Sequence, residues 1–210
     1  MKNSLDILII GGGIAGLATA LSLHDIGFKP RIFEQARGIR PLGVGINLLP
    51  HSIRELTELG LDRELRATGV EIDELRFYTQ YGLEIQRESR GIKAGYKWPQ
   101  FSIHRGELQM LLYKAVQRRL GSDCIKTAHT AVDLTQNNDK VIVSFKDSNT
   151  GQNLTTQEAD IVIAADGIHS TIRKKYYPGE GKPIYGGINL WRGITWQESF
   201  LSGQTMILAG

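Results

Sequence analysis

The sequence predicts an α/β protein in which a mixed, mostly parallel sheet with helices is interrupted by a separate β-sheet. The first observation is a strand–helix–strand pattern over residues 1–34, with a glycine-rich turn after the first strand. The second is a change of pattern after residue 34, where hairpin signals alternate with helices. In a doubly wound sheet, strands and helices alternate and no hairpins intervene. Because hairpin signals occur here, we expect the chain to leave the parallel sheet, return to it and leave it again.

The composition is that of an ordinary globular chain, since 41% of the 210 residues are apolar and 22% are charged. The net charge is only +3 and no block of Lys and Arg stands out, so we expect no nucleic-acid partner. The apolar stretch 7–23 is broken by glycines, which favours a strand, a turn and a helix over a signal peptide or a membrane span. The single cysteine, Cys124, excludes an internal disulfide and fits a reducing, cytoplasmic location.

The first elements follow from local patterns. Residues 5–10 are rich in β-branched side chains and end at glycine, as buried parallel strands do. Helical spacing of apolar residues runs over 14–26 and stops at Gly27, which is a suitable residue just after a helix. Residues 31–34 form the next strand, so the chain opens with a βαβ unit.

The rest of the chain mixes hairpins with helices. Tyr81-Gly82 separates two strand-like arms over 74–86, and a polar tip at 137–139 separates two further arms. The remaining predicted helices are 50–59, 61–67, 105–120 and 170–176, and the remaining predicted strands are 101–104, 131–134, 141–145, 160–165, 185–196 and 205–210.

This alternation divides the chain into four parts. We expect a nucleotide-binding domain formed by residues 1–72 and 101–178. A second domain takes a hairpin from residues 73–100 and a sheet from residues 179–210. Because the last residues have the pattern of a strand with no cap or tail after it, we expect the chain to be the front part of a longer protein, with its C-terminal part missing.

The strongest motif is the turn at residues 11–16, whose sequence GGGIAG is a G-x-G-x-x-G between the first strand and the first helix. Gly11 permits a tight turn, Gly13 lets a pyrophosphate approach the backbone, and Gly16 lets the helix pack against the strand. Glu34 ends the next strand, where a carboxylate accepts hydrogen bonds from ribose hydroxyls and repels a 2′-phosphate. The motif predicts a site for FAD or NAD, and the alternative is a plain glycine-rich turn with a surface Glu.

Three weaker motifs each have an ordinary structural alternative. Gly43 and Gly45 indicate either a backbone segment that closely approaches a flat group or an ordinary glycine-rich loop. Arg105 lies at a predicted helix start, where it either binds a phosphate or faces solvent. Asp166 follows a buried strand at the carboxyl edge of the sheet, where it binds a ribose or the cofactor, or serves as a turn residue. No His, Cys or carboxylate cluster has metal-ligand spacing, so we assign no metal ligand and no catalytic residue.

Together, the turn at 11–16 with Glu34, Arg105 before its helix, and the segment ADGIHSTIR at 165–173 resemble the FAD-dependent aromatic hydroxylases of the para-hydroxybenzoate hydroxylase type. The resemblance implies a Rossmann-like FAD-binding domain interrupted by a β-sheet substrate domain. It also implies a monooxygenase that uses NADH or NADPH and O₂ to hydroxylate a small aromatic or heteroaromatic substrate through a flavin C4a-hydroperoxide. FAD carries that chemistry, so no acid–base pair is needed from the protein.

Within this family, the segments 41–47, 102–110 and 191–193 look closest to the phenazine hydroxylases. The resemblance also implies roles for single residues. For the ADP half of FAD, the expected contacts at the pyrophosphate are Gly11, Gly13, Ile14, Ala15 and Gly16, and those at the adenosine ribose are Glu34 and Gln35. For the rest of FAD, Arg105 is expected at the phosphates or the ribityl chain, Val44 and Gly45 along the isoalloxazine, and Asp166 at FAD and NAD(P)H. Trp191 and Arg192 are expected in the sheet that covers the substrate.

Three alternatives stay open. One is a non-hydroxylating FAD enzyme of the same fold, such as a halogenase or a ring reductase, although Trp191 and Trp196 lack the halogenase spacing. Another is an NAD-dependent dehydrogenase, against which the hairpins count. The third is a fragment that binds nothing, because the family's later Gly-Asp fingerprint has no counterpart after Gly167. We therefore expect this piece alone to form half a cofactor site and to be inactive.

Overall fold

The computed structural model describes residues 5–137 and 139–210. Contacts between residues divide the chain into two compact units. Unit 1 comprises the residues up to Arg40 together with 109–189, and unit 2 comprises Pro41–Leu108 together with Leu190–Gly210. Each unit is therefore built from two separate stretches of sequence. The finer division expected at residues 72, 100 and 178 stays a prediction.

Apart from the sheet expected over 185–196, the predicted helices and strands are confirmed within three residues at each end, among them the helix over 105–120. Within the described ranges, no helix combines the length and the apolar character needed to cross a membrane. The strands are β1 (Ile7–Ile10), β2 (Arg31–Phe33), β3 (Gly45–Leu48), β4 (Val70–Ile72), β5 (Glu74–Tyr78), β6 (Glu84–Ser89), β7 (Gln100–His104), β8 (Ile125–Lys126), β9 (His129–Gln136), β10 (Val141–Asp147), β11 (Gln157–Ala159), β12 (Ile161–Ala164) and β13 (Thr205–Ala209). The α-helices are α1 (Ile14–Asp25), α2 (Pro50–Glu58), α3 (Asp62–Thr68), α4 (Arg105–Leu120) and α5 (Thr171–Tyr176).

Unit 1 is built on a four-stranded parallel sheet in the order β12-β1-β2-β8. In the middle strand β1, Ile9 pairs with Ile32 of β2 and with Ile163 of β12. All four side chains of β1 are at most 3% exposed, which explains why this strand is apolar without alternation. Because the strands run parallel, their carboxyl ends meet at one edge of the sheet, where ligands bind in open α/β sheets. The α/β class predicted from the sequence is confirmed.

The hairpin of β9 and β10, extended by β11, forms a second, antiparallel sheet in unit 1. The hairpin was predicted with its tip at 137–139, of which Asn138 lies outside the described residues. Phe145 of β10 stacks on Phe33 of β2 with 4.7 Å between the ring centroids. Leu8 of β1 and Ile172 of α5 belong to the same buried cluster. This core fixes the parallel strands against the antiparallel sheet.

Unit 2 contains two three-stranded sheets, in the orders β13-β5-β6 and β3-β7-β4. The hairpin of β5 and β6 was predicted, whereas β3 and β4 are too short to show a periodic pattern. In the first sheet, Arg76 pairs with Glu74 at 2.7 Å, and both side chains are about five-sixths buried. The hydrogen bond from Arg76 lowers the pKa of the Glu74 carboxyl, so this pair stays ionised at neutral pH.

The prediction of a sheet over residues 185–196 is wrong. This segment contains no helix or strand, and Trp191 and Trp196 are 93% and 101% exposed. A strand needs a neighbour that pairs with its backbone N–H and C=O groups. None of the strands in the described part of the chain pairs with this segment. Its aromatic and β-branched composition is therefore not sufficient to form a strand.

Asp160 joins strands at the edge of the parallel sheet opposite to the carboxyl ends. Its carboxylate accepts a hydrogen bond from the Asp6 N–H at 2.7 Å and one from Lys140 Nζ at 2.6 Å. These bonds connect the start of β12 with the residue before β1 and with the turn before β10. The hydrogen bond from Lys140 is the largest of the effects that lower the pKa of Asp160 from its ordinary value of 3.8.

We expect Asp160→Asn to lower the free energy of unfolding at neutral pH, because the amide loses the ion pair and accepts weaker hydrogen bonds. A carboxyl whose pKa is lowered by folding contributes stability above its ordinary pKa of 3.8 and loses it as the pH falls through the lowered value. The difference from wild type should therefore shrink as the pH drops below 3.8. Urea unfolding at a series of pH values measures this.

A matched control is Asp139→Asn in the exposed hairpin tip, which should leave the unfolding free energy unchanged throughout the series. A difference between Asp160→Asn and wild type that is the same at neutral and at acid pH would contradict the assigned role of the ion pair.

Candidate functional site

The turn between β1 and α1 is closed by backbone contacts that leave no room for side chains. Gly11 has a φ of +106°, and a Cβ on it would lie 2.4 Å from the carbonyl oxygen of Ala165. A Cβ on Gly16 would lie 2.0 Å from the Gly11 carbonyl oxygen and 3.3 Å from a methyl group of Ile9. Glycine at both positions therefore lets α1 begin directly against the end of β1.

Gly13 differs from these two glycines, because no atom lies within 4 Å of the place where its Cβ would be. It is the residue that precedes α1, and no side chain caps the helix there. The first turn of α1, which begins with Ile14 and Ala15, holds no acidic residue. Backbone N–H groups and the positive end of the helix dipole thus face open space, an arrangement that suits a phosphate.

Glu34 lies beside this turn and is held in place by it. Its Oε2 accepts a hydrogen bond from the Gly12 N–H at 2.6 Å, and its Oε1 accepts one from the Ala36 N–H at 2.7 Å. Each oxygen keeps a further lone pair for a hydroxyl donor. Gln35, which follows Glu34, is exposed. The carboxylate is thus oriented before any ligand binds.

Two residues that support the turn were not identified from the sequence. Gly12 is closely surrounded, since a Cβ there would lie 3.1 Å from Cδ1 of Ile39 and 3.2 Å from the Cβ and Oε2 of Glu34, which would have to shift by a few tenths of an ångström. Gln109 of α4 donates from its side-chain amide to the Gly12 carbonyl oxygen at 3.0 Å. The available signal for Gln109 was a polar residue next to the buried Leu108 and Leu111 of the helix. It pointed to no partner, because Gly12 is remote in sequence.

Asp166 follows β12 and lies beside the same turn, since a Cβ on Gly11 would lie 3.2 Å from the Asp166 Cα. Its Oδ2 accepts hydrogen bonds from the N–H groups of Thr171 at 2.9 Å and Ile172 at 3.4 Å, at the start of α5. Ser170 caps the same helix through the Arg173 N–H. Asp166 therefore has the helix-capping role of the structural alternative, and its Oδ1 has no partner among the described residues.

The remaining candidate cofactor residues lie in unit 2. Gly43 has a φ of +120° and packs against the aliphatic part of Arg105, 3.5 Å from where its Cβ would be. His104 Nε2 is 2.8 Å from the Gly43 carbonyl oxygen, and the Arg105 N–H donates to the Val44 carbonyl oxygen at 2.8 Å. Gly45 pairs with His104 in the β3-β7 ladder. This backbone is held at several points, and the contact of His104 with Gly43 was not indicated by the motif.

The Arg105 guanidinium is exposed at the first residue of α4 and forms no ion pair or hydrogen bond with any described residue. Trp191 and Arg192 lie in the irregular, exposed segment of unit 2. The structure assigns no binding surface to them.

Metal and thiol chemistry have no support in the described ranges. No group of three or more His, Cys, Asp or Glu side chains there is placed to hold a metal ion. Cys124 is half-buried, and burial raises the pKa of its thiol, which therefore stays protonated at neutral pH. What unit 1 offers instead is an uncapped helix N-terminus between two oriented carboxylates.

Comparison with known proteins agrees with this geometry. A family model described as an FAD binding domain matches residues 4–183. The phenazine 1,6-dicarboxylic acid hydroxylase PhzS of Lysobacter antibioticus is 42% identical over 205 residues, which are 97% of this chain and 50% of that protein. The 3-amino-4-hydroxybenzoate 2-monooxygenase of Streptomyces cremeus is 32% identical over 198 residues, which are 92% of this chain and 47% of that protein.

Among solved structures, the p-nitrophenol 4-monooxygenase PnpA of Pseudomonas putida has a TM-score of 0.74 at 21% identity, over 84% of this chain and 44% of that one, which shows the shared fold. The chain spans about half the length of the curated relatives it matches. The resemblance to FAD-dependent aromatic hydroxylases, and to the phenazine hydroxylases among them, is confirmed. Because the family match covers residues 4–183, this chain belongs to the FAD binding domain family, and its cofactor is FAD.

Proposed function

We propose that the protein containing this chain is an FAD-dependent monooxygenase that uses NADH or NADPH and O₂ to hydroxylate a small aromatic or heteroaromatic ring. The observation that carries the proposal is the uncapped N-terminus of α1, which lies between Glu34 and Asp166 at the carboxyl edge of the parallel sheet. The similar proteins are named for hydroxylation of a phenazine dicarboxylic acid and of an aminohydroxybenzoate. Both are aromatic rings that carry carboxylates.

The residues of unit 1 fit the ADP half of FAD. The pyrophosphate finds backbone N–H donors at the start of α1, above the open position of Gly13. The adenosine ribose donates from its hydroxyls to Glu34, whose carboxylate is already oriented by the Gly12 N–H. A carboxylate in this place repels a 2′-phosphate, so the bound dinucleotide is FAD and not an NADP molecule.

Asp166 supplies a second acceptor at the same edge. One of its carboxylate oxygens is held by the first N–H groups of α5, and the other is open to a hydroxyl of FAD or of the nicotinamide nucleotide. A positioned acceptor loses little orientational freedom when a ligand arrives. Capping of α5 and ligand binding are therefore compatible roles of one side chain.

In unit 2, Val44, Gly45 and Arg105 are the proposed contacts to the rest of FAD. The Arg105 guanidinium has its donors unused, which suits a phosphate oxygen. The hydrogen bonds of His104 and Arg105 hold the backbone of residues 43–45 in one conformation, as a surface for a flat ring requires. For Trp191 and Arg192, contact with the substrate stays a prediction.

When bound, FAD accepts a hydride from the nicotinamide nucleotide and activates O₂. The chain's own residues bind and orient the cofactor, and a nucleophile or an acid–base pair from the protein is not required. We include a cytoplasmic location in the proposal, supported by the single cysteine, Cys124, which can form no internal disulfide.

Gly13→Ala is expected to separate FAD binding from folding. Its Cβ meets no protein atom, so the unfolding free energy should fall by less than about 1 kcal/mol. The same methyl group enters the space proposed for the pyrophosphate, and the Kd for FAD should rise at least about tenfold. Urea unfolding and titration of flavin fluorescence measure the two quantities.

Gly16→Ala is the contrasting variant, since its Cβ would lie 2.0 Å from the Gly11 carbonyl oxygen and must displace the turn. It should lose FAD binding together with roughly 1–3 kcal/mol of stability. Gly38→Ala in an open loop is the control that should change neither quantity. Wild-type affinity for FAD in Gly13→Ala would show that the pyrophosphate does not lie at this turn.

The activity itself is tested with the full-length protein, purified without added flavin. We expect the absorption bands of oxidised FAD and an oxidation of NADH or NADPH in air that one of a panel of aromatic acids and phenazines accelerates. The product should contain one added oxygen atom, measured by mass spectrometry with ¹⁸O₂. A flavoprotein that oxidises the nucleotide without oxygenating any ring would favour the non-hydroxylating alternative, and a protein that takes up no FAD would exclude the proposal.

A further inference from the structure

Gly12 is held by side chains from two other parts of unit 1, one at each of its backbone polar groups. Its N–H donates to Glu34 Oε2, just after β2, at 2.6 Å, and its carbonyl oxygen accepts from the side-chain amide of Gln109 in α4 at 3.0 Å. No other hydrogen bond within residues 5–137 and 139–210 reaches that carbonyl oxygen. The Gln109 amide is therefore the donor that holds the peptide between Gly12 and Gly13.

The peptide between Gly12 and Gly13 has an unusually free backbone. It belongs to a run of three glycines, and glycine backbone adopts orientations that a Cβ would forbid. No atom lies within 4 Å of the place where a Cβ of Gly13 would be, so packing does not restrict the Gly13 side of this peptide. The hydrogen bond from Gln109 is the polar contact that opposes rotation of the peptide plane.

The orientation of this peptide decides where the Gly13 N–H points. A trans peptide is planar, and its C=O and N–H groups point in opposite directions. Because the Gly12 carbonyl oxygen points to α4, the Gly13 N–H points away from α4, and it has no acceptor among the described residues. Gly13 directly precedes α1, whose first N–H groups have no partner within the helix. A peptide rotated by half a turn would present a carbonyl oxygen instead, and that oxygen would repel a phosphate.

We propose that Gln109 is a positioning residue for the FAD pyrophosphate. It acts through the Gly12–Gly13 peptide, which it holds with the N–H, and not the C=O, toward the phosphates. An N–H group forms a stronger hydrogen bond with an ionised phosphate than with a neutral acceptor, so the orientation of this peptide affects the affinity for FAD. The inference rests on the proposed place of the pyrophosphate at the start of α1. It adds α4 to the elements that form the cofactor site, although Gln109 lies 97 residues from Gly12.

The test uses the full-length FAD-loaded protein and measures the Kd for FAD from the flavin fluorescence released on dilution. In Gln109→Leu the side chain keeps a similar size and loses its donor, so the Kd should rise at least about tenfold. Gln117→Leu is the matched control. Gln117 is also partly buried on α4, but its amide donates to Tyr113 of the same helix, at 3.0 Å. This control should keep the wild-type Kd.

Gln109→Glu distinguishes a hydrogen-bond donor from a purely structural contact. A carboxyl group donates to a carbonyl oxygen when it is protonated and cannot donate when it is ionised. A carbonyl oxygen and a pyrophosphate nearby raise its pKa above the ordinary value of about 4.3. At about pH 8 this variant should bind FAD as weakly as Gln109→Leu or more weakly, and at about pH 5 it should approach the wild-type Kd. Gln109→Leu, which has no donor at any pH, should stay weaker than wild type throughout. Loss of charge repulsion alone would bring Gln109→Glu only to the level of Gln109→Leu.

The inference and the proposed function fail in different ways. A wild-type Kd in Gln109→Leu, with a raised Kd in Gly13→Ala, would overturn the role of Gln109 and leave the pyrophosphate at the turn. A wild-type Kd in both variants would overturn both assignments. A flavoprotein that oxygenates no ring but shows the expected Kd values would overturn the monooxygenase and keep the role of Gln109. If Gln109→Leu does not fold, Gln109→Glu decides, since a Kd ratio to wild type that is the same at about pH 8 and about pH 5 overturns the inference.

Discussion

The close approach of Gly16 to the Gly11 carbonyl oxygen is the constraint on which unit 1 depends. A methyl group at Gly16 would lie 2.0 Å from that oxygen, so the contact exists only with glycine. It places the first turn of α1 directly behind the end of β1, at the edge where β2 and β12 also end. The helix dipole and the two carboxylates therefore meet through backbone geometry, without a dedicated network of side chains.

The carboxylates are held by the same backbone that a cofactor approaches. Glu34 accepts from Gly12, which is itself fixed by Gln109, and Asp166 accepts from the first residues of α5. Such groups are oriented before ligand arrives, which reduces the entropy lost on binding. This explains why short local motifs carry so much of the site: each acceptor needs a nearby N–H group and little else.

The local character of these interactions also decides what could be predicted from the sequence. The turn at 11–16, Glu34 and the capping segment at 165–173 depend on neighbours in sequence or on strand ends, and their positions follow from the predicted parallel order. Gln109 could not be found in this way, because its partner Gly12 is 97 residues away and the contact is set by packing.

The prediction of strands was limited by the same dependence on contacts between residues that are remote in sequence. Residues 185–196 have the composition of strands and form none, since a strand exists only where a partner pairs with it. The short strands β3 and β4 carry no periodic signal, yet both form because β7 lies between them. Pairing is a tertiary property, so a pattern within one segment indicates strand propensity and not strand formation.

The two units differ in the information that they carry about function. The contacts proposed for unit 1 are to features that every FAD molecule has, namely a pyrophosphate and ribose hydroxyls, so they concern the cofactor and not a substrate. In an enzyme whose redox chemistry belongs to the cofactor, specificity depends on where the protein places charge and flat apolar surface. In unit 2, the exposed Lys97 ammonium lies 4.7 Å from the centroid of the half-buried Trp98 ring. The nucleotide-binding motifs of unit 1 therefore bear on the cofactor, and discrimination between ligands depends on residues elsewhere.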